Sequence, residues 1–150
     1  MNNNSTGGKV FFTCPICQME QQISKKYGDV YFVSAPAAIF DFSDRVFALS
    51  VKSLLLRRNI RDVYFVCDPD CCFVQNVLNG TKLMGLHCEE VIRSLKTPGD
   101  DAIALSEKIL KDQLDQFRNS SIFAGMLEKE RIRTRGLVMS KDLSMLRIEL

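Results

Sequence analysis

"KVFFTCPICQMEQ", residues 9–21, sets an apolar run of Val and Phe directly against a Cys-x-x-Cys pair and a helix-like segment. A short continuous apolar run bounded by polar residues reads as a strand buried on both faces, as strands of parallel sheets are. Met19, Ile23 and Tyr27 then follow at spacings of four, closed by Gly28, which predicts a helix. "DVYFVSA", residues 29–35, is a second apolar run, so the unit reads strand, helix, strand. A matching arrangement occurs downstream in "VYFVCDPDCC", residues 63–72, where a third apolar run ends in a second cysteine cluster. Ligands in parallel sheets gather at the carboxyl ends of strands, and both clusters fall at such ends. Neighbouring strands would therefore bring Cys14 and Cys17 close to Cys67, Asp68, Cys71 and Cys72.

The intervening and following segments continue the alternation. Ser43 is placed to cap a helix through "DRVFALSVKSLLLRRN", residues 44–59, with Val46, Phe47, Val51, Leu54 and Leu55 as its apolar face. A helix from Asp70 to Leu78 is stopped by Asn79-Gly80, and "KLMGLHCEEVIRSL", residues 82–95, predicts another. Beyond Pro98-Gly99 lies a long amphipathic helix in "DDAIALSEKILKDQLDQF", residues 100–117, with Ile103, Leu110, Leu114 and Phe117 facing inward. A short helix is predicted in "SIFAGMLEKE", residues 121–130. "IRTRGLVM" and "LSMLRIEL" then read as a terminal hairpin around "SKD".

Composition narrows the class. With 150 residues, 46% hydrophobic and 25% charged, the chain can bury one core, which predicts a flexible leader at 1–8 and a single domain over 9–150. The 20 basic and 18 acidic residues are interspersed along the chain, which argues against a nucleic acid partner. "MNNNSTGGK" has neither the basic nor the apolar part of a secretory signal, and no stretch is apolar for long enough to span a membrane. A cytoplasmic protein without membrane attachment is the expectation. In a reducing compartment, six cysteines point to metal, catalysis or burial more than to disulfides. Cys67 and Cys88 read as core residues and His87 as a surface residue with no assigned role.

The order of these elements, with "CPICQ" at residues 14–18, "DPDCC" at 68–72 and the closing "RGLVMSKDLSMLRIEL", resembles the β-class carbonic anhydrases and their sulfur-substrate relatives such as carbonyl sulfide hydrolase. The resemblance implies an α/β fold with a mostly parallel sheet covered by helices and a C-terminal hairpin. It also implies Zn2+, a homodimer or larger homo-oligomer, and a small-molecule substrate. Position by position, Cys14 and Cys71 match the family's two cysteine zinc ligands, and Asp68 stands where its histidine ligand belongs. Ile16 replaces the aspartate that orients the catalytic water, and Gln18 replaces the arginine paired with it. "VSAPA", residues 33–37, lacks the Arg-Asn-Ala-Gly pattern found after the family's second strand.

Cys14, Asp68 and Cys71 are a permissible zinc triad, and the fourth position is open to Cys17, Cys67, Cys72 or water. A carboxylate in place of an imidazole adds negative charge and weakens the metal's hold on water, while Ile16 cannot accept a proton. Little or no CO2 hydration is the consequence, and the active site reads as degenerate. Two alternatives stand beside this reading: a noncatalytic interaction protein of the same fold, and a thioredoxin-like oxidoreductase using Cys14 and Cys17.

Overall fold

Residues 7–81, 84–141 and 145–149 are described in the computed structural model, the last segment by its backbone alone. Strands β1 (Gly8–Thr13), β2 (Tyr31–Ser34), β3 (Ile60–Cys67), β4 (Arg133–Met139) and β5 (Met145–Glu149) form one sheet in the order β2-β1-β3-β4-β5. The first four are parallel, and β5 runs antiparallel to β4 as the expected hairpin. Residues 142–144 of its turn lie outside the described residues, as do 1–6 of the expected leader; Gly8 already belongs to β1. Helices α1 (Glu20–Tyr27), α2 (Arg45–Arg57), α3 (Cys72–Asn79), α4 (His87–Leu95), α5 (Ala102–Asn119) and α6 (Ala124–Lys129) connect the strands. Among the described residues no helix is long and apolar enough to cross a membrane.

Alternation along β1 and β3 divides the aromatic core between the two faces of the sheet. Phe12 stacks on Phe65 at 4.6 Å and meets Phe40 edge-on at 5.0 Å, with Phe42, Phe117 and Phe123 completing that face. Phe11 stacks on Tyr64 at 4.5 Å, with Tyr27 and Phe32 on the other side. Both faces are thus filled by residues adjacent in sequence, which is why the runs read as continuously apolar. At the opposite end, the buried Asp62 of β3 accepts from Arg133 of β4 at 2.8 Å and pairs with Lys9 of β1 at 3.3 Å, tying three strands together.

Several local expectations change in the folded chain. Asp44, rather than Ser43, caps α2 by accepting from the Phe47 N–H at 3.2 Å, while Ser43 donates to Asp41. Along α2, Ala48, Val51 and Leu55 form the buried face and Val46, on the opposite side, is 77% exposed. The helix expected from residue 82 begins at His87: Gly85 adopts φ 86°, and the buried Glu89 carboxylate takes the Leu86 N–H at 2.7 Å. α3 begins at Cys72, two residues after the expected start, and Gly80 ends it in the left-handed region at φ 66°. On α5, Leu105, Ile109 and Gln113 join Leu110, Leu114 and Phe117 in the interior, and Ile103 stays half-buried.

Candidate metal centre

From β1 the chain moves to one side to form β2 and then to the other side of β1 to form β3. The carboxyl ends of β1 and β3 therefore flank the point where strand order reverses, the usual location of a ligand crevice in such sheets. Register pairs Phe12 with Phe65, so the residues leaving these two strands emerge together. Past β1, Cys14 to Cys17 form a tight turn in which the Cys17 N–H reaches the Cys14 carbonyl at 3.3 Å. Past β3, Asp68 and Cys71 form a similar turn, with the Cys71 N–H on the Asp68 carbonyl at 3.0 Å, and Cys71 sits at the N-cap of α3.

These two turns bring the sulfurs of Cys14, Cys17 and Cys71 within 4.8 Å of one another, all three buried. Bonds of about 2.3 Å from zinc to sulfur place paired sulfurs about 3.8 Å apart, so the cluster fits one ion after small side-chain adjustments. Asp68 is also buried, yet its carboxylate lies outside that group, and its Oδ1 accepts the Asp70 N–H at 2.8 Å. A cavity of about 280 Å³ adjoins the cluster, lined by Ile16, Cys17, Asp68, Asp70, Cys71, Cys72 and Lys141. Cys72 is exposed, while Cys67 is buried beside the Ser106 hydroxyl. Of the residues considered for a fourth position, Cys17 therefore meets Cys14 and Cys71. Ile16 is 53% exposed, and Gln18 is exposed with φ 55°.

A further contributor comes from the segment after β2. Pro36–Ala38 make a single 3-10 turn in which Ala37 and Ala38 both adopt positive φ, 60° and 55°. For alanine this conformation costs on the order of 1 kcal/mol per residue, and here both side chains are packed in the core. The turn directs the Ala37 N–H at the Cys14 sulfur, 3.2 Å away. Gln113 of α5 holds the end of the turn by accepting the Phe40 N–H at 2.9 Å. Neither role was visible in the sequence; only the absence of bulky side chains in "APAA", residues 35–38, hints at a close backbone approach.

The electrostatics follow from crowding three thiols. Hydrogen bonds from Cys17 and Cys71, helped by the Ala37 N–H, hold the Cys14 thiol well below its ordinary range against the opposing effect of burial. Cys17 and Cys71 are pushed up, chiefly because each shares its proton with the Cys14 sulfur, with burial adding to the shift. One thiolate is thus favoured and two more are not, unless a cation enters. Burial chiefly raises Asp68, with the Asp70 and Cys14 charges adding to it and the Asp70 N–H and Lys141 opposing; burial likewise pushes Cys67 up to about 12 against the Ser106 hydroxyl.

No protein-family model and no curated protein matches the sequence. Solved structures do match. The β-carbonic anhydrase CafD of Aspergillus fumigatus is 16% identical with a TM-score of 0.73, over 96% of this chain and 89% of that one. CafA of the same fungus is 15% identical with a TM-score of 0.77, over 95% of this chain and 74% of its own. One of two tetrameric β-carbonic anhydrases of Sordaria macrospora is 13% identical with a TM-score of 0.68, over 97% and 82%. The chain has the β-carbonic anhydrase fold, with a cysteine cluster at the sheet's carboxyl edge that can hold a metal ion.

Proposed function

We propose that this chain is a zinc-binding protein of β-carbonic anhydrase fold whose thiolate-rich centre supports little or no CO2 hydration. The observation that carries the reading is the buried grouping of Cys14, Cys17 and Cys71 within 4.8 Å. Cys14 and Cys71, two of the ligands expected from the sequence, belong to this group with Cys17 as a third sulfur, and Asp68 lines the adjoining cavity. Zinc bound there supplies Lewis acidity and ties the ends of β1 and β3 together.

What the side chains do around that position argues against hydration. Three thiolates leave a formal charge of minus one on the centre, and Asp68, if ionised, adds another; both weaken the electrophile. Ile16 neither accepts a proton nor orients water, and exposed Gln18 offers no cation to hold a carboxylate in place. The thioredoxin-like alternative loses support because α1 starts at Glu20, so Cys14 and Cys17 precede its first turn and share their sulfurs with Cys71. Self-association belongs to this proposal too, supported by the exposed Val46, Leu49 and Leu56 along α2.

Stopped-flow CO2 hydration on zinc-loaded protein tests the reading. The native chain should run near background, and joint replacement Cys17→Ala, Asp68→His, Ile16→Asp and Gln18→Arg, which frees one coordination position, should raise the rate, whereas single replacements should not. Robust hydration by the native chain, lost in Cys14→Ser, would overturn it.

A further inference from the structure

We propose that the same three thiols take a soft, three-coordinate ion, typified by trivalent arsenic, with no other protein ligand. The proposal rests on reading Cys14, Cys17 and Cys71 as ligands, and its test is separable from that for zinc. Three sulfurs from two turns converge within 4.8 Å, a span that accommodates the sulfur pairs of a trigonal thiolate site. Among the described residues no fourth sulfur joins the group within 4.8 Å: Cys72 is exposed, Cys67 is engaged beside Ser106, and the buried Cys88 stays outside it although the Cys14 charge reaches it. Nor does the Asp68 carboxylate join the group; its Oδ1 accepts the Asp70 N–H at 2.8 Å. A tetrahedral ion must therefore recruit solvent or reorganise Asp68, whereas a three-coordinate thiophilic ion needs only the three sulfurs, drawn together by small side-chain adjustments.

The adjoining cavity, walled in part by Cys17 and Cys71, offers a small neutral reagent such as arsenous acid a path to the sulfurs. The reaction is a condensation without change of oxidation state. Three S–H and three As–OH bonds break, three As–S bonds form, and three waters leave with the thiol protons.

The full chain, reduced with a phosphine and treated with stoichiometric arsenite, is read by native mass spectrometry and by iodoacetamide labelling mapped to each cysteine. One adduct is expected, with the mass of arsenic less three hydrogens; Cys14, Cys17 and Cys71 should be protected while Cys72 remains labelled. Arsenite should also displace zinc from the zinc-loaded chain, and Cys17→Ser should lose the three-thiol adduct. If that variant fails to fold, the labelling map of the native chain decides alone. Zinc bound through these cysteines with no arsenic adduct would overturn this inference and leave the zinc reading standing. An arsenic adduct without zinc binding would support the inference and remove the zinc reading. Arsenic held by only two cysteines, or by a set including Cys72, would overturn it.

Discussion

Replacing Phe12 by alanine probes the seam that carries both cysteine turns. Phe12 is fully buried, lies two residues before Cys14, stacks on Phe65 at 4.6 Å and meets Phe40 at 5.0 Å. Phe42 and Phe117 lie further out, at 6.2 and 6.1 Å. Truncating a buried Phe costs about 3–5 kcal/mol, and aromatic pairing adds to the area term, so the upper part of that range, about 4–5 kcal/mol, is expected. Urea unfolding of metal-free protein reads the loss directly, because no bound ion then contributes. With a slope of about 2 kcal/mol/M, the midpoint should fall by about 2 M with the slope unchanged. Val46→Ala, at a residue 77% exposed, should stay within about 0.5 kcal/mol of the native chain. A Phe12→Ala loss below about 2 kcal/mol would refute the claim that this ring stack sets the strand seam.

Three further outcomes follow from named contacts. Asp101 caps the longest helix by accepting the Ala104 N–H at 2.8 Å, so Asp101→Ala should cost about 1 kcal/mol in the same urea assay. Burial raises the Asp68 carboxyl, so the folded state holds its proton more tightly than the unfolded chain does, and stability falls as pH rises from the ordinary carboxylate range through the folded value. Asp68→Asn should therefore stabilise the metal-free protein at neutral pH and make no gain at pH below the ordinary value of 3.8; a gain independent of pH would contradict the burial argument. Leu49→Glu, on the exposed apolar stripe of α2, should shift light scattering toward the mass of a single chain, and an unchanged larger species would place the self-association face elsewhere.

Period and punctuation made the strands and most helices legible. The runs around Phe11-Phe12 and Tyr64-Phe65 are apolar at every position because both faces of β1 and β3 are covered, and a Gly or Asn-Gly marks the end of α1 and α3. That two cysteine clusters meet also followed from placing them at strand ends. The position beyond Cys14, Asp68 and Cys71 was left open to Cys17, Cys67, Cys72 or water, because local spacing does not say which cysteine turns inward; the two turns bring the Cys17 sulfur, and not the Asp68 carboxylate, within 4.8 Å of Cys14 and Cys71. Least legible was the Pro36–Ala38 turn, since positive φ at two alanines runs against their intrinsic preference and is held by tertiary packing and by hydrogen bonds to Cys14 and Gln113, residues distant in sequence. On α2 the buried face runs through Ala48, Val51 and Leu55, and Val46, nine residues before Leu55, falls on the opposite side at 77% exposure.

Metal content of the native chain, purified without added metal and compared with Cys14→Ser, Cys17→Ser and Cys71→Ser, tests the central claim most directly. Elemental analysis should find one zinc per native chain and a large loss in each variant, with Cys72→Ser retaining the ion. A native chain that binds no zinc even when zinc is supplied, or one whose zinc survives loss of Cys14 and Cys17, would contradict the account.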